Sequence, residues 1–318
     1  MVITPDRGSN PRTSTRVFRT VLAHPMDQQS IRHIDFMKMS GAGNDFVVVD
    51  NRSGIVSAPD VFAQQVCDRR RGIGADGLLL LEPSAKADFL MKYYNADGSY
   101  GGMCGNGGRC ISRYAYLKHL VVKPEIRFEA LEHIYAASVL HDRVRLEMKD
   151  PTDFRMDQDV EVAGRLVHFH FVNSGSPHCV IFLEENRSLG PDLDSVDVQA
   201  IGKEIRYHRS FSPAGTNVNF IEKNISGAYV IRTYERGVEA ETLACGTGSV
   251  AAALIIHEVK NAPAPVSLQV RSGESLEIGF QKNGDRKYHE VSLSGSAHVV
   301  FSGKISYEFS SQSIVDFD

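Results

Sequence analysis

The chain has no basic block of any length. Its 35 lysines and arginines stand against 39 aspartates and glutamates, a formal net charge of -4. Nothing electrostatic therefore calls for nucleic acid or an anionic membrane surface. No stretch approaches the roughly 20 continuous apolar residues of a membrane-spanning helix, and no secretory segment stands near the amino terminus, so the sequence predicts a cytoplasmic protein. Five cysteines in 318 residues do not make a disulfide framework. Cys104 and Cys110 are too far apart for a Cys-x-x-Cys knuckle, and Cys67 and Cys179 have no nearby ligand pair, so no metal is expected. There is no signal for a Schiff-base lysine beside a phosphate site, and Gly72-Ile73-Gly74 is only a fragment of a dinucleotide fingerprint. No cofactor is expected either.

What is present is glycine, thiol and amide in a repeated arrangement. A 42% hydrophobic composition over this length supplies the cores of two domains. Residues 1–33, rich in Arg, Ser, Thr and Pro and poor in periodicity, read as a flexible extension. Order is expected from Ile34, where an alternating strand runs into Ser40-Gly41-Ala42-Gly43-Asn44-Asp45 and then Phe46 to Asp50. A helix is predicted over Asp60 to Arg70, strands over Leu78 to Leu81 and Asp88 to Asn95, and an amphipathic helix over Ile111 to Leu120. Short strands follow to Val172, with Pro151 as a boundary, then a helix between Asp194 and Arg206, a strand from Ala228 to Tyr234, and alternating strands from Val266 to Phe309.

Two stretches stand out. Met103-Cys104-Gly105-Asn106-Gly107-Gly108-Arg109-Cys110 sets a thiol in a glycine turn before a helical segment, and Ala244-Cys245-Gly246-Thr247-Gly248 does so again before the apolar run Val250 to Ile256. Strands, polar loop, Cys-Gly turn and helix thus occur twice, as in a distant internal repeat. A cysteine at a helix amino terminus feels the partial positive charge of unpaired amides, which favours the thiolate. The same amides make an anion cradle suited to a carboxylate. Two such turns facing one carbon would remove a proton from one face and deliver one to the other, inverting the centre. The competing readings are core packing for each thiol and a redox or ligand-binding protein with a regulatory Cys104–Cys245 disulfide. Cys110 and Cys179 lack the glycine setting and read as core. His178 reads either as a satisfied structural histidine or as a group tuning a thiol. Glu235 and Arg236, shortly before the second turn, read as a solvated pair or as a clamp for the charged groups of a substrate.

These residues resemble the diaminopimelate epimerase family. The resemblance rests on Asn95-x-Asp97-Gly98-Ser99 with Met103-Cys104-Gly105-Asn106-Gly107-x-Arg109, and on Glu235-Arg236-Gly237 with Glu241-Thr242-x-Ala244-Cys245-Gly246-Thr247-Gly248. Ser40 to Phe46, Gly72 to Asp76 and Gly175-x-Pro177-His178 also fit, so it covers roughly residues 34–309. It implies an α+β fold of two pseudo-symmetric domains, each a strand-rich mixed or antiparallel β barrel around a central helix, with the active site in the interdomain cleft. The implied division is 34–150 with 298–310, then 151–297, with 311–318 as a tail. The activity implied is cofactor-independent epimerisation of LL- to meso-diaminopimelate in lysine and peptidoglycan precursor synthesis, by a homodimer. Cys104 and Cys245 would be the acid and base. Asn44, Asn95, Asn217, Glu235 and Arg236 would hold the substrate, with Gly105, Asn106, Gly246 and Thr247 receiving the reactive carboxylate and His178 and Glu235 tuning the thiols. Three departures stand out: Gly77 where many members carry Gln, Ser176 where many carry Asn, and a loop at Val238-Glu239-Ala240 one residue longer than usual. Related proline and hydroxyproline racemases share the two-thiol plan, but typically have His after the first Cys-Gly, where this chain has Asn106.

Overall fold

A computed structural model describes residues 31–308 and 310–315. The expected extension therefore lies outside the described residues except at its end. There β1 begins at Ile31, three residues before the alternating pattern, because Ile31 and Arg32 pair with Glu308 and Tyr307. The tail likewise carries a short strand, Ser313–Ile314, paired to Tyr307 and Glu308.

The first half contains β1 (Ile31–Gly41), β2 (Asn44–Asp50), α1 (Pro59–Cys67), β3 (Gly77–Glu82), β4 (Phe89–Asn95), α2 (Gly105–Leu117), β5 (Glu125–Ala130), β6 (His133–Leu140) and β7 (Arg143–Glu147). The second contains β8 (Thr152–Val162), β9 (Arg165–Asn173), β10 (Pro177–Phe182), α3 (Val198–Arg206), β11 (Asn217–Lys223), β12 (Tyr229–Glu235), β13 (Ala240–Thr242), α4 (Gly246–Lys260), β14 (Val266–Gln269), β15 (Ser275–Lys282) and β16 (Tyr288–Ser296). Then β17 (His298–Glu308) returns to pair with β1 along nearly its whole length, and β18 (Ser313–Ile314) closes the list of strands.

The pairings repeat. β1–β2 is antiparallel, β2–β3 parallel, β3–β4 antiparallel, β4–β5 parallel, then β5–β6–β7 antiparallel. The series β9, β10, β11, β12, β14, β15, β16 follows the same sequence of senses. Each parallel step requires a crossover, and in both halves the first crossover carries a small helix (α1, α3) and the second carries the helix headed by a thiol (α2, α4). The two series join at β7–β16, antiparallel from Glu147↔Ser292 to Arg143↔Ser296, so one hydrogen-bonded sheet runs through the molecule.

Alternation along β2 and β3 explains the layering. Phe46, Val48 and Leu79 face the core around α2, with Ile111, Phe128 and Leu146, while Val47, Val49, Leu78 and Leu80 face the other way to α1 through Phe62 and Val66. In the second half Val180, Ile221, Leu268 and Leu293 pack on α4. Residues 250–256 of α4 are buried on every side, which is why the run lacks amphipathic spacing. Fully burying a Leu or Ile there contributes about 1.5–3 kcal/mol.

α2 starts at Gly105, six residues before the periodic segment at Ile111. Gly-Asn-Gly-Gly is a poor intrinsic helix former, and packing overrides the propensity. A Cβ on Gly107 would meet Leu79 at 3.1 Å, and one on Gly108 would meet Phe128 at 3.1 Å. The glycines let this helix start lie close against its sheet.

Candidate active site

Cys104 and Cys245 are the N-caps of α2 and α4, with nearly the same backbone (φ -124, ψ 123 and φ -112, ψ 115). Each sulfur accepts the amide hydrogen of the residue three further on, Gly107 N at 3.5 Å and Gly248 N at 3.4 Å. Both thiols line one cavity of about 950 Å³. Asn106 spans the two turns, its Nδ2 lying 3.5 Å from Ala244 O, immediately before Cys245.

Around Cys104, Asn44 donates to Asp76 Oδ2 at 2.7 Å, which turns its carbonyl oxygen to the thiol at 3.6 Å. Asp76 and Asp45 share Arg69, and Lys38 pairs with Asp45 at 2.7 Å. Burial raises the Asp45 carboxyl, but Arg69 and Lys38 outweigh this and hold it at about 2. Arg109 is fully buried, donating to Asn106 Oδ1 at 2.9 Å. Burial pushes the Cys104 thiol up, while the amides of Gly107 and Asn106 and the Arg109 charge pull it back. Burial and the neighbouring Glu235 raise Cys245, against hydrogen bonds from Thr247 and Gly248. Glu235 is itself raised by burial, with the Cys245 thiol donating to it. Burial thus favours the neutral thiol at both positions, opposed by the amides and Arg109 at Cys104 and by Thr247 and Gly248 at Cys245.

Of the residues singled out in the sequence, Asn44, Asn95, Cys104, Gly105, Asn106, Glu235, Cys245, Gly246 and Thr247 line the cavity together. Asn217, His178 and Arg236 stand behind it. Asn217 donates to Pro177 O at 2.9 Å and accepts from Arg236 N at 2.8 Å, and the Arg236 guanidinium donates to Ala214 O at 3.1 Å. His178 is buried between Thr247 and Asn219, and burial with the Arg236 charge pushes it down to about 3, so it is neutral. Cys67, Cys110 and Cys179 are buried in cores, and burial raises all three.

Sequence reasoning missed Tyr93. Its ring packs against Gly77 and Gly101, where a Cβ would come within 2.4 Å of it, and its hydroxyl donates to Asn95 Oδ1 at 2.7 Å. A phenol thus fills the space beside the Gly77 backbone and orients one cavity amide. The paired glycines flanking an aromatic strand were the available signal. Asp76, which lines the cavity, and Asn219 were missed as well.

Among the described residues no helix is long and apolar enough to cross a membrane. Solved structures similar to this one include a probable proline racemase of Agrobacterium radiobacter (TM-score 0.62, 15% identity, 85% of this chain and 92% of that one) and a PhzF-family phenazine biosynthesis protein of Bacillus anthracis (TM-score 0.65, 12% identity, 86% and 99%). At those identities they establish the fold, a strand-rich α+β arrangement with a mixed sheet. In sequence, the chain is 47% identical over 272 residues to the diaminopimelate epimerase of Chlorobaculum tepidum, covering 84% of this chain and 99% of the relative. The Aquifex aeolicus diaminopimelate epimerase is 38% identical over 290 residues, covering 86% and 99%. The diaminopimelate epimerase family model matches residues 36–153 and 170–300, taking in both thiol turns. A match that spans both halves at this level of identity settles the relationship: the chain belongs to the diaminopimelate epimerase family.

Proposed function

We propose that the protein interconverts LL- and meso-diaminopimelate through Cys104 and Cys245 as a two-base pair, without a cofactor. One sulfur, as thiolate, takes the α hydrogen as a proton; the other, as thiol, delivers its proton to the opposite face. One C–H bond breaks, one forms, and the two sulfurs exchange protonation states. The reactive carboxylate sits at the amides of Gly105, Asn106, Gly246 and Thr247, where two helix amino termini stabilise the charge that builds up on it. Asn44, Asn95 and Glu235 hold the amino group and the chain. Asn217 fixes the Arg236 backbone, and the Arg236 guanidinium, on leaving Ala214 O, meets the distal carboxylate. His178 and Glu235 tune the thiols.

The observation that carries this reading is the pair of N-capping thiols on one cavity, bridged by Asn106. Two domains belong to the same reading: 34–150 with 298–310, and 151–297, each a barrel around α2 or α4, with the cavity in the cleft between them. So do the homodimer, the cytoplasmic location, and a place in lysine and peptidoglycan precursor synthesis. Incubation with LL-diaminopimelate in deuterated water, without pyridoxal phosphate, tests the chemistry. The expected result is meso product carrying deuterium at the inverted α carbon. Inactivity there, with racemisation of proline, would move the protein to the proline group, and absence of exchange on either would leave a binding protein.

A further inference from the structure

The repeat permits a position-by-position comparison of what surrounds each sulfur. Phe46 is in register with Gly77 as His178 is with Asn217; Leu79 faces Tyr93 across its strand pair as Asn219 faces Thr233. A Cβ on Gly107 would meet Leu79, and one on Gly248 would meet Asn219 at 2.5 Å. The first thiol therefore stands over Phe46, Leu79 and Tyr93, and the second over His178, Asn219 and Thr233. Three polar residues, all buried, occupy places that the other half fills with apolar side chains or an aromatic ring.

Their hydrogens can be followed. The Cys179 carbonyl can only accept, so the Asn219 amide has one orientation, with Nδ2 donating to Cys179 O at 2.9 Å and to His178 Nδ1 at 3.1 Å and Oδ1 accepting from Thr233 at 3.1 Å. His178 Nδ1 is thereby an acceptor, and the ring hydrogen sits on Nε2, which lies 2.9 Å from both Thr247 Oγ1 and Ser176 Oγ. Ser176 Oγ accepts from Asn217 Nδ2 at 3.3 Å and lies 3.3 Å from Thr247 Oγ1. With its hydrogen on Nε2, His178 can donate to the Thr247 oxygen, and Ser176, whose own oxygen accepts from Asn217, has a hydroxyl hydrogen that can do the same. A hydroxyl has two acceptor sites and one hydrogen. With both acceptor sites used, the remaining partner for that hydrogen is Cys245 Sγ, 3.6 Å away.

Building on the two-base reading, we propose that Asn219 is a positioning residue that fixes His178 as its neutral Nε2–H tautomer and so commits the Thr247 hydroxyl hydrogen to the Cys245 sulfur. Cys245 then receives two hydrogens as thiolate, from Thr247 and Gly248. Ser176, one of the departures from the family pattern, supplies the second hydrogen to Thr247. His178 acts as a fixed donor and takes up no proton during turnover. The titratable groups acting on the sulfur are Glu235 and Cys104, with His178 uncharged behind Thr247.

Nitrogen NMR of histidine-labelled protein reads the tautomer directly. His178 is expected to show a protonated Nε2 and a bare Nδ1, unchanged from pH 5 to 9; a protonated Nδ1 would overturn the proposal, and this holds whether or not any variant folds. The second measurement is the pH profile of iodoacetamide alkylation, resolved to Cys245 and Cys104 by peptide mass spectrometry. Asn219→Leu should slow alkylation of Cys245 about tenfold below its pKa, the loss of one hydrogen bond to a charged group, and leave Cys104 unchanged. Thr247→Val should do the same, and the double variant should lose nothing further. An unshifted Cys245 profile in folded Asn219→Leu, or losses that multiply in the double variant, would refute it. Neither measurement involves a substrate. Failure of the epimerase reading would appear as missing deuterium exchange with both of these results intact.

Discussion

The two helix starts differ in what stands beside them far more than in their own geometry. Both place a cysteine at the N-cap with extended backbone and a sulfur on the third amide. Beside Cys104 lies an acceptor, the Asn44 carbonyl oxygen, its amide nitrogen already committed to Asp76. Beside Cys245 lie the Thr247 hydroxyl, 3.6 Å from the sulfur, and the Glu235 carboxyl. An acceptor such as Asn44 Oδ1 favours the thiol form, whereas at Cys245 a hydroxyl able to donate stands beside a carboxylate that raises the thiol. Repetition of a backbone thus gives two equal dipoles, and the strands behind them make the two thiols chemically unequal. An enzyme that must hold one base and one acid at the same moment needs that inequality.

The comparison can be broken most severely at the sulfurs. Cys104→Ala and Cys245→Ala should each lower epimerisation by about 10²–10⁴-fold, the range expected for removing one acid or base, as measured by turnover of LL-diaminopimelate. Retention of full activity by either variant would refute the two-base reading. Glu235→Gln removes the carboxylate that is hydrogen-bonded to Cys245 and acts on Cys104 only through its charge. It should cost about ten- to a hundredfold in kcat and shift alkylation of Cys245 more than that of Cys104.

Gly77→Gln restores a residue common in the family, yet here it drives a Cβ into Tyr93 at 2.4 Å and Tyr94 O at 2.6 Å. Destabilisation by about 1–3 kcal/mol is expected in urea unfolding, relieved in part when Tyr93→Ala is added. The last effect concerns pH. His178 is held at about 3 in the folded chain, against about 6.5 when exposed. The unfolded chain therefore binds the extra proton first, and stability falls as pH drops below about 6.5, by up to about 1.4 kcal/mol per pH unit from this residue. His178→Phe, which copies the Phe46 side, should flatten that slope between pH 6 and 4. An unaltered slope would mean that His178 is not buried as a neutral ring.

Much of this is legible in the sequence. The two Cys-Gly turns, the internal repeat, the core placement of Cys110 and Cys179, and most strands follow from glycine spacing and alternation. The start of α2 was hidden because four residues of low helix propensity are held helical by Leu79 and Phe128, which are distant in sequence. Asn219 was hidden for a different reason. A second asparagine two residues after Asn217 carries no signature until the parallel pairing of β10 and β11 sets it beside His178. Arg236 lies close to Cys245 in sequence, but its guanidinium points to Ala214 O, a direction that proximity along the chain does not supply.

The pairing of β1 with β17 carries a consequence for how the chain is made. Ile31 finds its partner at Glu308 and Ser40 at His298, so the first strand to leave the ribosome keeps one edge open until almost all of the chain has followed. Loop closure over such a separation is slow, and an uncovered strand edge is a template for pairing with other chains. A chain stopped just short of residue 298 would keep both thiol turns and β7–β16 and still leave β1 uncovered, with aggregation rather than inactivity as its first defect.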